Sequence, residues 1–135
     1  MSEPQGFERL DVYRRSYAAA LRVHALTLSF PEIERFALAD QMRRASRSIC
    51  ANVAEGHNRR RGSSSDFRRY LTMAAGSADE MQVWASFARD LSYTEAFTAD
   101  AMRREYAEIA RMLNGLAKAW SDGAPAPDTP DRPEA

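Results

Sequence analysis

The chain has 135 residues, 19 basic and 19 acidic side chains, 44% hydrophobic residues and one cysteine, Cys50. That length suits one domain around one core, and no apolar run approaches the roughly 18 residues of a membrane span. The lone cysteine forms no internal disulfide and the opening Met-Ser-Glu-Pro-Gln lacks the parts of a signal peptide, so a reducing, cytoplasmic setting is expected.

A first helix is predicted from Leu10, Tyr13, Tyr17, Leu21, His24 and Leu28, whose spacing turns one face toward a core. His24 lies on that stripe and is read as a satisfied core residue rather than a ligand or base. Phe30-Pro31 ends the helix, because proline disfavours helical geometry in the residue before it and suits the opening turn of the next helix. Helix two presents Leu38, Met42, Ala45, Ile49, Asn52 and Gly56, with Gly56 as its C-terminal stop.

A loop from His57 to Ser65 holds Arg59, Arg60 and Arg61, and Ser63 with Asp66 three residues on predicts a capping box for helix three. That helix carries Phe67, Leu71, Ala74, Ala78, Met81, Ala85 and Ala88 at alternating spacings of four and three. A break is expected at Leu91-Ser92-Tyr93-Thr94, with Thr94 or Thr98 as the next cap. Helix four follows with Met102, Tyr106, Ile109, Leu113, Leu116 and Trp120, and Gly123 marks its end. Pro125, Pro127, Pro130 and Pro133 interrupt residues 122–135, in which Asp122, Asp128, Asp131 and Glu134 face Arg132 alone, a net of −3 that leaves +3 for the rest. Residues 122–135 are read as a disordered acidic tail and residues 1–121 as a bundle domain.

Helices of about 20 residues joined by short connections predict an all-α fold, an antiparallel up-and-down four-helix bundle. Helix three also carries Tyr70, Ser77, Trp84 and Leu91 at sevenfold spacing, with Phe87 near them. So wide an apolar arc exceeds what three partner helices usually cover, and self-association is inferred from it, although aromatic residues also fill wide bundles.

Phe30-Pro31, the run Leu38-Ala39-Asp40-Gln41-Met42-Arg43-Arg44-Ala45-Ser46-Arg47-Ser48-Ile49-Cys50-Ala51-Asn52-Val53-Ala54-Glu55-Gly56, and Ala75-Gly76-Ser77-Ala78-Asp79-Glu80-Met81 together closely resemble the bacterial family of proteins encoded in intervening sequences of 23S rRNA genes. The likeness spans about Phe7 to Trp120. It implies a four-helix bundle assembled as a ring-like homopentamer, distantly related to the accessory protein of diversity-generating retroelements, which binds nucleic acid and a reverse transcriptase. Ala78 stands where a leucine is usual, Ser92 where a glycine is usual, and the acidic tail is an addition that would weaken anion binding by repulsion.

Between Arg35 and Arg69 the arginines are Arg35, Arg43, Arg44, Arg47, Arg59, Arg60, Arg61, Arg68 and Arg69, opposed by Asp40, Glu55 and Asp66. Arginine's planar fork suits phosphate, and a ring would repeat the cluster as a basic belt that releases counterions from a nucleic-acid backbone. The same residues also suit a solvated face in which Asp40 pairs with Arg44 and Asp66 with Arg69, and a GC-rich genome gives the same arginine bias. Gln41, Ser48, Asn52 and Glu55 on helix two and Ser77 and Glu80 on helix three are read as polar groups that fix register across helices or subunits.

No catalytic, metal or cofactor site is predicted. A di-iron carboxylate bundle wants Glu-x-x-His twice, and neither His24 nor His57 follows a glutamate by three. Cys50 lacks a companion thiol and is read as a buried thiol. Gly56 and Gly62-Ser63 do not have the spacing or the lysine of a phosphate loop. The expectation is a non-enzymatic oligomer that contacts RNA or a nucleoprotein through Arg43, Arg44, Arg47, Arg59, Arg60, Arg61, Arg68 and Arg69; the alternative is a scaffold for a protein partner.

Overall fold

A computed structural model describes residues 6–121, so the expected acidic tail and Gly123 lie outside the described residues. Four helices account for nearly all of it: α1 (Asp11–Thr27), α2 (Leu38–Arg59), α3 (Ser64–Asp90) and α4 (Ala96–Ser121), with short 3-10 turns at Gly6–Arg9 and Glu32–Glu34. Among the described residues there is no strand.

Neighbouring helices run in opposite directions. Arg43 of α2 reaches Thr27 of α1 and Arg47 reaches His24, so residue numbers rise along one helix as they fall along the other. Ser48 meets Ser77 between α2 and α3. Arg68 at the start of α3 points to the Trp120 carbonyl at the end of α4, and Arg89 at its other end pairs with Asp100. The square closes where Arg15 and Arg22 of α1 reach Glu105 of α4.

The α3 and α4 stripes are buried as the spacing predicts, from Phe67 through Ala88 and from Tyr106 through Trp120, with Met102 half-buried. Of the predicted α2 stripe, Leu38, Met42, Ala45, Ile49 and Gly56 are buried and Asn52 half-buried. The stripe assigned to α1 holds at its start, where Leu10 is buried and Tyr13 half-buried against the core, and fails beyond it. Val12, Ser16, Ala19, Val23 and Thr27 face the core, whereas Tyr17, Leu21 and Leu28 are 51%, 58% and 71% exposed and His24 is exposed as well. Small and β-branched side chains let α1 approach its neighbours closely, and helical spacing alone does not separate that face from the bulkier one beside it.

The junctions explain the helix limits. Ser63 caps α3 by accepting the Asp66 amide at 3.1 Å, the first half of the expected capping box. Gly56 is no stop, since α2 continues to Arg59. It is a contact point: a Cβ there would lie 2.7 Å from the Tyr70 Cβ and 3.1 Å from the Phe67 ring. α3 ends in a Schellman turn, with the Tyr93 amide donating to the Ala88 carbonyl at 2.8 Å and the Ser92 amide to that of Arg89 at 3.0 Å. Ser92 takes the left-handed position at φ 64°. α4 begins at Ala96, so Thr98 lies inside it and neither threonine directly precedes it. Ahead of α2, Glu34 accepts the Tyr93 hydroxyl at 2.7 Å and the Leu38 amide at 3.1 Å. Those two bonds, the tyrosine's first, hold its carboxyl below the usual carboxylate pKa.

Candidate nucleic-acid interface

The turn between α2 and α3 gathers five of the eight predicted arginines at one end of the bundle. Arg59, on the last turn of α2, lies 3.4 Å from Glu55 and 3.8 Å from Asp66, with its guanidinium 5.5 Å from the centre of the Tyr70 ring. Arg69, one turn into α3, stacks over the same ring at 4.8 Å and lies 3.7 Å from Asp66. Tyr70, read from sequence as part of an apolar line, is therefore the platform that holds two cations in place. Its place four residues before Ala74 in the helix pattern carried no sign of that role.

Arg60 turns inward, donating to the His57 carbonyl at 2.9 Å and lying 3.2 Å from its Nδ1. An arginine has only donors, so that ring nitrogen accepts. His57, expected in a loop, is instead 1% exposed at the end of α2 and edge-on to Phe67. Arg61 is fully out on the turn and meets no acid among the described residues. Arg68 points at the final carbonyls of α4, where the helix dipole favours a cation. Residues 55–69 carry five arginines, Glu55 and Asp66, a net of +3, and the start of α1 with Glu8 and Asp11 lies at the same end.

Arg43, Arg44 and Arg47 do not join this cluster. Twelve to sixteen residues of α2 separate them from Arg59, a rise of about 18 to 24 Å. Arg43 bonds Thr27 and the Arg35 carbonyl, and Arg44 pairs with Asp40 at 2.8 Å as the sequence suggested. Arg47 has no carboxylate partner among the described residues; its contact is His24 Nδ1 at 3.3 Å. It stands at the mouth of a groove of about 400 Å³ between α1 and α2, lined by Tyr13, Tyr17, Ala20, Leu21, His24 and Cys50. Cys50 is half-buried, and desolvation pushes its thiol up to about 11, so it is protonated at neutral pH and a poor nucleophile.

The polar set falls on the side where α2 meets α3. Helical spacing puts Gln41, Ser48, Asn52 and Glu55 in one row of α2 and Ser77 and Glu80 in one row of α3. The rows touch through a Ser48 to Ser77 hydrogen bond of 2.7 Å. Glu80 accepts from the Trp84 indole at 2.8 Å and has no cationic partner among the described residues. Among those residues no three His, Cys, Asp or Glu side chains converge as a metal-holding group, and no helix is long and apolar enough to cross a membrane.

Comparison with known proteins adds to this geometry. Residues 8–115 match a family described as 23S rRNA-intervening sequence protein. Among solved structures, one from Bacteroides thetaiotaomicron, described as a protein of unknown function from the S23 ribosomal protein family, is similar with a TM-score of 0.71 and 24% identity over 79% of this chain and 95% of that one. At that identity it shows a shared fold. No curated protein matches the chain.

Proposed function

The chain belongs to the 23S rRNA-intervening sequence protein family, and from that premise and the arginine-rich end we propose that it is a non-enzymatic, oligomeric protein that binds RNA or a nucleoprotein. The observation that carries the reading is the gathering of Arg59, Arg60, Arg61, Arg68 and Arg69 at one end, where Asp66 is shared between Arg59 and Arg69. Exposed pairs of this kind are worth about 0 to 1 kcal/mol, so they yield readily to phosphate. The guanidinium groups contact the backbone without reading bases. Self-association is supported by the apolar side chains that α1 and α3 leave exposed, and the family resemblance suggests five subunits.

Titration of a fluorescent single-stranded RNA with the full chain at several salt concentrations tests the reading. Affinity is expected to fall linearly with salt on logarithmic axes, and the slope to shrink by about 1 to 2 when Arg61 and Arg69 are both changed to glutamine. A flat salt response, or a double variant that binds like wild type, sinks it. The scaffold alternative draws on Ile33 and Phe36, 82% and 85% exposed at the opposite end; a protein that still co-purifies after nuclease treatment would favour it.

A further inference from the structure

The groove between α1 and α2 has a chemistry that differs from that of the arginine-rich end. Its volume of about 400 Å³ has room for a planar ring of nucleobase size, and one wall is aromatic. Tyr13 is half-buried and Tyr17 half-exposed, with ring centres 6.0 Å apart and planes inclined by 31°. Phe7 stands edge-on to Tyr13 at 5.0 Å and steadies that ring. Ala20, which contributes only a methyl group, keeps the groove open between the tyrosines and Leu21.

Cations border the same groove. At its mouth the Arg47 guanidinium donates to His24 Nδ1 at 3.3 Å. An arginine has only donors, so the ring proton of His24 is on Nε2, a further donor beside Arg47. One turn along α2, about 6 Å on, Arg43 donates to the Thr27 hydroxyl at 3.2 Å and the Arg35 carbonyl at 3.0 Å. Arg43, Arg35 and His24 line a second hollow of about 500 Å³ that adjoins the first at His24, and the acid lining it is Glu32. Arg35, Arg43 and Arg47 meet no carboxylate among the described residues, while Asp40 on the same helix is taken by Arg44. With Glu32 these three arginines leave a net of +2.

We infer that this groove takes an unpaired base of a single-stranded RNA, the base stacking on Tyr17 and its neighbouring phosphates lying on Arg47 and Arg43. The inference rests on the RNA contact of the proposed function and adds to it a second site with a different preference. Stacking needs a free ring face, which a base inside a duplex gives to its neighbours. Aromatic rings beside a line of cations hold single strands whatever their sequence, because every base has such a face. The cations extend past the groove, so a strand is favoured over a free mononucleotide: one phosphate next to the stacked base would occupy Arg47 and leave Arg43 and Arg35 without an anion. Both Arg43 and Arg47 are positioned by neutral acceptors, so no ion pair has to break before a phosphate binds. At the other end of the bundle Asp66 competes for Arg59 and Arg69.

Fluorescence anisotropy of the full chain tests this with three labelled probes: a short single-stranded RNA, the same strand carrying abasic units, and its duplex. Tyr17→Leu keeps an apolar side chain at a half-exposed position but removes the ring. It should weaken the single strand by roughly ten-fold and leave the duplex unchanged. Tyr17→Phe restores the ring face and should bind as wild type. Arg47→Gln should weaken the single strand and lower its salt slope by about 1, whereas changing Arg61 and Arg69 together to glutamine should weaken strand and duplex alike. A Tyr17→Leu variant that holds the single strand as wild type does, one that loses strand and duplex equally, or an abasic strand that binds as tightly as the intact one overturns the inference and leaves the arginine end in place. Adenosine monophosphate that competes as strongly as the strand overturns the assignment to a strand. A wild-type chain that binds none of the probes overturns both sites.

Discussion

Ser92 is the one described non-glycine residue with a positive φ, at the left-handed C′ site of the turn after α3. An L side chain in that region costs about 1 kcal/mol through contact of Cβ with the following carbonyl, a cost glycine avoids. Ser92→Gly should therefore raise the unfolding free energy by about 1 kcal/mol, read as a higher urea midpoint at unchanged slope. An unchanged or lower midpoint would show that the turn relieves the strain. The sequence flagged this residue as one standing where glycine is usual. It could not show the matching demand at Gly56, where the Tyr70 Cβ and the Phe67 ring leave no room for a side chain, because that demand comes from a helix eleven or more residues further on.

At the level of the element, α3 and α4 were legible because the core takes the face with the longest regular apolar repeat, although α3 leaves Met73, Val83, Phe87 and Leu91 outside. α1 misled because its bulkiest repeat is not the face that packs. The larger residues point out and the smaller ones pack, so burial rather than hydrophobicity assigns the roles. Val23→Ala should accordingly destabilise the subunit by about 2 kcal/mol, since Val23 is 0% exposed and leaves a cavity. Leu21→Ser should change it by less than about 0.5 kcal/mol, measured by denaturation at concentrations low enough to separate subunits. Equal losses at both positions would contradict the packing described for this helix.

At the scale of the whole molecule the bundle is bipolar. Five of the eight predicted phosphate-contacting arginines collect at the α2–α3 end, while Ile33 and Phe36 are exposed on the α1–α2 connection at the other. A single basic belt from Arg43 to Arg69 is therefore replaced by one compact end cluster, with Arg43, Arg44 and Arg47 twelve or more residues away along α2. The basic end should act independently of self-association. Changing Arg61 and Arg69 to glutamine is expected to lower RNA affinity without altering the sedimenting mass. A change that moved both readouts alike would mean that assembly and RNA contact share one site.

Spacing, capping and turn chemistry are local properties, and they were enough to determine four helices, their order, the Ser63 cap and the core faces of α3 and α4, while the residue runs of α2 and α3 carried the resemblance to the family that residues 8–115 match. Which face of α1 is buried, which arginines become neighbours, why Gly56 is glycine and how Tyr70 serves two cations depend on atoms brought together from distant parts of the chain. Those were decided only when helices packed side by side, because a helix carries its residues around all sides and its neighbours alone select which side meets solvent.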